Sequence, residues 1–251
     1  MNKKYFLFGF AIIFIAFSFP EKKKITIWMC GDSTMSIKEK KAYPETGWGM
    51  PFVYFWDSTV TIENRAKNGR STKTFISEKL WQGVIENVKE GDYVFIQFGH
   101  NDESKEKTER YTTPDEYKAN IKKFISEARA KKGIPVLFTP VSRRKFDAEG
   151  LPVETHKEYS ALVREVSASE KVPMIDMDKK TMELYEQFGK ENSRWLFLQL
   201  KPGEHPNYPD GREDNTHFNE LGARLVAQIA LAELQKLFPD LMDRVVKPVV
   251  K

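Results

Sequence analysis

Short apolar runs alternate along the chain with longer stretches whose apolar residues recur at helical spacing. Ile25 to Cys30 is β-branched and aromatic, is bounded by Lys22–Lys24 and Gly31, and reads as a strand. Val60 to Glu63 is a second strand, Tyr93 to Phe98 a third, Ile134 to Thr139 a fourth and Val172 to Ile175 a fifth. The clearest helix follows Thr113, which forms a capping box with Glu116 while Pro114 takes the first helical position. Tyr117, Ile121, Phe124, Ile125 and Ala128 share its apolar face, and Gly133 closes it. Thr155 to Glu170 and Lys179 to Gly189 are further helices, and Asn219 caps a last one with Leu221, Leu225, Ile229 and Ala232 on one face. Glu191 to Asp214, with Pro202, Gly203, Pro206, Pro209 and Gly211, reads as one long loop.

This alternation predicts an α/β fold, a parallel sheet covered on both faces. Ligands bind such sheets beyond the carboxyl ends of the strands, so chemistry should follow strands. The 251 residues suit one domain, and 40% hydrophobic with 30% charged residues is enough to fill a core. Residues 20–251 are read as that single domain.

The N-terminal residues have a different character. Asn2-Lys3-Lys4 is positive and Tyr5 to Phe19 is an uncharged apolar run, so residues 1–19 read as a signal peptide or N-terminal anchor. Export to the periplasm or the cell exterior is expected, with membrane attachment only if that segment is retained. Lys and Arg exceed Asp and Glu by only +4, and no basic run carries interleaved aromatics, which argues against nucleic acid. A single cysteine, Cys30, excludes an internal disulfide and reads as a small buried hydrophobe. Four scattered histidines offer no metal-ligand spacing and no phosphate-cradling loop is present, so neither metal nor cofactor is expected. The expected unit is a monomer.

Four polar blocks carry candidate chemistry, and three of them follow strands: Gly31-Asp32-Ser33-Thr34, Asn68-Gly69-Arg70-Ser71, Gly99-His100-Asn101-Asp102 and Asp214-Asn215-Thr216-His217-Phe218. Acyl transfer by serine needs a base for the hydroxyl proton and a carboxylate to orient that base. Ser33 can serve as nucleophile, His217 as base and Asp214 as orienter, the last two meeting across a turn or first helical turn. The Ser33 and Gly69 N–H groups and the Asn101 amide can supply an oxyanion hole. Taken singly, each block has a plainer reading as a turn, a cap or a structural histidine.

Together, in this order, they resemble the SGNH or GDSL hydrolase superfamily, with Ser33, Gly69, Asn101 and His217 matching its four name-giving residues and Asp214 the Asp of the last block. The resemblance spans Ile25 to about Leu234. It implies a flavodoxin-like three-layer α/β/α sandwich around a central five-stranded parallel sheet, and a Ser-His-Asp covalent mechanism. Thr139-Pro140-Val141, Arg143-Arg144 and the Ser33-Thr34 pair bring it nearest to the rhamnogalacturonan acetylesterases. That branch implies removal of acetyl groups from the galacturonate backbone of pectin. One departure is the Lys-rich segment Lys38 to Thr46, to which the resemblance assigns no role.

An anionic substrate would be helped by nearby cations, for which Arg70, Arg143 and Arg144 are the candidates, with loop-bracing salt bridges as the alternative. Trp48 is expected to pack near Ser33, while Trp81 and Trp195 read as core or as sugar-stacking platforms. His156 and His205 have no evident partner and are expected at the solvent surface. The same chemistry also suits an acetylesterase of xylan or oligosaccharides, a small lipase or a sugar O-acetyltransferase. A binding module that had lost catalysis would have no reason to keep all five site residues.

Overall fold

The computed structural model describes residues 22–247, so the expected leader at 1–19 lies outside the described residues. Five strands form the main sheet: β1 (Ile25–Gly31), β2 (Val60–Asn64), β3 (Tyr93–Gln97), β4 (Ile134–Phe138) and β5 (Met174–Ile175). Their order is β2-β1-β3-β4-β5 and every pairing is parallel, which is the expected flavodoxin-like arrangement. The strand order reverses between β1 and β3, so the ligand crevice of such a sheet opens outside the carboxyl ends of these two strands.

Alternation along each strand divides the core in two. Ile25, Ile27 and Met29 of β1 join Phe95, Val136 and Phe138 on one face. Trp28 and Cys30 join Val94, Ile96 and Leu137 on the other. Because both faces are buried, the strands read as nearly unbroken apolar runs rather than alternating ones. Each buried Leu, Ile or Phe side chain contributes about 1.5–3 kcal/mol, so the sandwich tolerates strained or polar groups at its rim.

Among the described residues, seven α-helices connect and cover the strands: α1 (Gly49–Phe52), α2 (Thr72–Ser77), α3 (Leu80–Ile85), α4 (Pro114–Ala130), α5 (Lys157–Glu170), α6 (Met177–Asn192) and α7 (Glu220–Leu237). In α7, Ala223, Val226, Ala227, Ala230 and Leu234 cover the first face. In α4 and α5, Tyr117, Ile121, Phe124, Tyr159 and Val163 cover the second. The capping box before α4 forms as expected, Glu116 N–H donating to Thr113 Oγ1 at 3.3 Å and Thr113 N–H to Glu116 Oε2 at 2.8 Å. Asp176 starts α6 by accepting from Lys179 N–H, and Gly189, at φ 72°, interrupts its helical geometry.

The long loop expected over Glu191 to Asp214 is corrected by the structure. A 3₁₀ turn at Ser193–Leu196 leads into β6 (Phe197–Leu200), which pairs antiparallel with β7 (Arg212–Phe218). Only residues 201–211, with their prolines and glycines, form the connecting loop. The β7 sequence Arg-Glu-Asp-Asn-Thr-His-Phe carries no apolar period, so nothing in it announces a strand. Hairpin pairing with β6, whose Phe197 and Leu198 are buried, imposes it.

Candidate active site

Ser33 leaves the end of β1, Asn68 and Gly69 follow β2, His100 and Asn101 follow β3, and Arg143 follows β4. Strand ends therefore deliver the expected blocks to one rim, and β7 brings Asp214 and His217 across to meet them. They line a cleft of about 490 Å³ with Ser33, Asn68, Gly69, His100 and Asn101. Asp214 and His217 sit on a strand, not in the turn or first helical turn expected for them.

Ser33 Oγ lies 2.9 Å from His217 Nε2, and His217 Nδ1 lies 2.8 Å from Asp214 Oδ2. The other Asp214 oxygen accepts from the N–H groups of Thr216 at 2.7 Å and His217 at 3.0 Å. Burial disfavours the Asp214 charge, but His217 and these two N–H donors outweigh it and hold the carboxyl well below the usual carboxylate range. An ionised carboxylate can only accept, so the His217 proton sits on Nδ1 and the Nε2 lone pair faces Ser33. This relay can draw the proton from the Ser33 hydroxyl.

Gly69 adopts φ +75°, a left-handed conformation that L side chains rarely adopt. The Ser33 and Gly69 N–H groups have no hydrogen-bond partner among the described residues. Asn101 donates one amide hydrogen to Arg70 C=O at 2.9 Å, which orients the amide at the cleft wall and leaves a second donor. Ser33, Gly69 and Asn101 thus bring three neutral donors to one cleft, the kind of group an oxyanion hole is built from.

Behind the nucleophile runs a buried polar chain. Trp48 Nε1 donates to Gln97 Oε1 at 2.8 Å, Gln97 Nε2 to Thr34 Oγ1 at 2.7 Å, and Thr34 Oγ1 to Asp32 Oδ1 at 2.8 Å. Trp48 is fully buried, packed near Ser33 as expected. Thr34 both accepts and donates here, which explains a hydroxyl rather than a leucine beside the nucleophile. Burial opposes the Asp32 charge, but the His100 imidazole and the two Thr34 donors outweigh it and hold Asp32 at about 2. Burial, aided by the neighbouring His156, pushes His100 down to about 4, so a neutral ring faces Asp32 near pH 7.

The expectation of a surface-exposed His156 is corrected. It is 1% exposed, its Nδ1 lies 2.9 Å from Glu103 Oε1, and its ring centroid stands 4.1 Å from that of His100. The partners come from another strand's loop, beyond the reach of sequence spacing. His205 is half-buried against Tyr43. Trp81 belongs to the core, whereas Trp195 is exposed on the β6–β7 side. Cys30 is buried in β1, and burial pushes its thiol far up, away from nucleophilic use.

The three candidate arginines separate. Arg143 lines the cleft, donating to Thr216 Oγ1 at 2.7 Å and standing 3.6 Å from Glu103. Arg144 turns away to Ser193 Oγ, Asn215 Oδ1 and Lys190 C=O, tying β7 and α6 to the loop after β4. Arg70 pairs with Glu78 at 3.0 Å and donates to Asn68 C=O at 2.8 Å, bracing the turn at Gly69. Both are the loop-bracing alternative rather than cleft-lining cations.

Sequence reading did not foresee Lys38 or Asp102. Lys38 is buried from within the Lys-rich segment, its Nζ donating to Ser33 C=O at 2.5 Å and Asn68 Oδ1 at 2.8 Å, and pairing with Glu45 at 2.7 Å. Burial lowers its pKa, against the opposing charges of Glu45, Asp32 and Asp214. One ammonium thus fastens the nucleophile turn to the Asn68–Gly69 turn, giving the segment a role. A run of lysines ordinarily reads as a solvated surface, and no local signal distinguishes the first.

Asp102 joins the other two blocks. Its Oδ1 accepts from Thr72 N–H, Thr72 Oγ1 and Thr112 Oγ1 at 2.9, 2.6 and 2.9 Å. Burial raises its carboxyl from 3.8 to about 7, against those hydrogen bonds. A raised folded-state pKa means that this group's stability is complete below about pH 4 and lost as pH rises through about 7. Asp102→Asn removes that titration. The unfolding free energy of the variant relative to wild type is expected to rise by up to about 4 kcal/mol from acid to mildly alkaline pH. Paired denaturant titrations at the two pH values measure it, and a pH-independent difference would exclude the assignment.

Comparisons with known proteins show the family of the chain. The family described as GDSL-like Lipase/Acylhydrolase matches residues 31–225. Rhamnogalacturonan acetylesterase RhgT of Bacillus subtilis (strain 168) is 40% identical over 225 residues, covering 90% of this chain and 96% of that protein. Probable rhamnogalacturonan acetylesterase YesY of the same organism is 31% identical over 222 residues, covering 88% and 97%. The crystal structure of protein YxiM from Bacillus subtilis aligns with a TM-score of 0.74 at 25% identity, covering 86% of this chain and 57% of that one. With the matched region running from the nucleophile turn into α7, this chain belongs to the GDSL-like lipase/acylhydrolase family.

Proposed function

We propose that this carboxylic ester hydrolase removes O-acetyl groups from pectic rhamnogalacturonan through a covalent acetyl-enzyme on Ser33. The observation that carries the chemistry is the relay Ser33–His217–Asp214, opening into a cleft that also holds Gly69 and Asn101. The substrate reading is supported by the names of the relatives RhgT and YesY.

In the first step His217 Nε2 takes the Ser33 proton as Oγ bonds to the acetyl carbonyl carbon. Negative charge moves to the carbonyl oxygen, where the Ser33 and Gly69 N–H groups and the Asn101 amide stabilise it. The ester C–O bond then breaks, and the sugar oxygen leaves with the proton from His217. In the second step water gives a proton to His217 and attacks the acetyl carbon, releasing acetate and restoring the Ser33 hydroxyl. Asp214 stays ionised throughout and stabilises the imidazolium. One chain supplies every group named, so a monomer is sufficient. Export is part of the same proposal, supported by the charged and apolar pattern of residues 1–19.

The test compares acetate release by residues 20–251 from acetylated rhamnogalacturonan and from acetylated xylan. Preferential release from the pectic polymer is expected. Equal or greater release from xylan would displace the pectic reading while leaving the esterase chemistry intact.

A further inference from the structure

Beyond the catalytic groups, the cleft wall carries Lys107, Arg110 and Arg143. These three cations are not equivalent. Arg143 is engaged by Thr216 and Glu103. Lys107 is exposed, so its ammonium is hydrated. Arg110 is half-buried, and its side chain makes no hydrogen bond or salt bridge among the described residues. Its Nε is wholly withdrawn from solvent without an acceptor.

Arg110 also flanks the Gly69 turn within the cleft. A Cβ built on Gly69 would stand 3.5 Å from Arg110 Nη1, so the guanidinium flanks the turn that presents the Gly69 N–H. Its backbone is held in place: Arg110 N–H donates to Lys107 C=O at 3.0 Å, and Thr112 N–H donates to Asp102 C=O at 3.0 Å. Asp102 Oδ1 also accepts from Thr112 Oγ1 at 2.9 Å and from Thr72 Oγ1 at 2.6 Å, so one buried carboxyl sets the loop carrying Arg110 and the helix after Gly69. The acids on the same wall do not neutralise it. Glu45 is paired with Lys38 at 2.7 Å, Asp214 with His217 at 2.8 Å, and the exposed Glu106 makes no ion pair with Arg110.

Nε is closed to a ligand as it is to water, but the two terminal guanidinium nitrogens keep solvent access without an acceptor, and a planar carboxylate is the group such a fork binds best. We propose that Arg110 forms a carboxylate subsite beside the oxyanion turn, which selects acetyl esters carried on or next to a uronate. This rests on the pectic reading above and assigns its specificity to a residue outside the reacting groups. A neutral acetylated sugar offers Arg110 no charge to pair with, and a uronate bound there turns its acetyl ester toward Ser33.

The test uses acetylated rhamnogalacturonan oligosaccharides with free carboxylates and the same oligosaccharides methyl-esterified at those carboxylates. The kcat/KM ratio of the free over the methyl-esterified form is measured for wild type, Arg110→Gln and Arg110→Lys. Wild type is expected to favour the free carboxylate, and Arg110→Gln to lower the ratio by about ten- to a hundredfold, mainly through KM. Arg110→Lys keeps the charge but not the fork and should fall between them. An unchanged ratio in Arg110→Gln overturns the subsite. A parallel loss on both substrates also overturns it, because that is the signature of a structural or oxyanion role. Wild type with no activity on either pectic form, but active on acetylated xylan, instead overturns the pectic reading on which the subsite rests.

Discussion

Ser33→Ala is expected to lower kcat for acetyl-ester hydrolysis by about 10⁴-fold or more while the protein stays folded. The substitution removes the hydroxyl that stands 2.9 Å from His217 Nε2 and with it the covalent step. What remains is the oxyanion donors and substrate binding, which alone leave modest acceleration. The fold should be nearly unaffected, because the turn is held through the Ser33 backbone rather than its hydroxyl. Lys38 Nζ and Ser36 Oγ both donate to Ser33 C=O. Acetate release under saturating substrate, with thermal unfolding alongside, measures both halves. Near-normal turnover in a folded variant would exclude Ser33 as the nucleophile.

Asp214→Asn is expected to cost about 10³- to 10⁴-fold in kcat, less than the loss of Ser33. An amide at this position can donate to His217 Nδ1, stabilising the tautomer whose proton sits on Nε2, where it cannot accept from Ser33. It also removes the charge that steadies the imidazolium. Stability should fall too, with a sign that can be worked out. The folded-state pKa of Asp214 is depressed, so its contribution is present above the unfolded value and lost as pH falls through the folded one. The variant should therefore be less stable than wild type near neutral pH, and the gap should close on strong acidification. Steady-state kinetics and denaturant titrations test these separately. A greater kcat loss than in Ser33→Ala would contradict the assigned roles.

The two effects share a geometric origin, because β7 crosses to the sheet's rim and closes the relay from outside the main sheet. That crossing was the part of the fold hidden from sequence reading. Ser33, Gly69 and Asn101 each follow a strand recognisable from its own apolar run, so their convergence on one rim followed from topology. Asp214 and His217 were legible as residues but not as strand residues, since β7 alternates nothing apolar and its conformation comes from pairing with β6.

Apolar periodicity, capping residues and four ordered polar blocks were local properties of the chain. They were enough to specify a parallel α/β sandwich, its strand ends and the five residues around the Ser33 hydroxyl. Burial and long-range pairing are not local. They decided that Arg143 lines the cleft while Arg70 and Arg144 brace loops, and that His156 is inside. They also drew Lys38 out of a solvated-looking run to grip the nucleophile turn, and left Arg110 half-buried without an acceptor beside Gly69. A side chain's charge is written in the sequence, but whether water, a counter-ion or a ligand answers it depends on which distant segments fold against it.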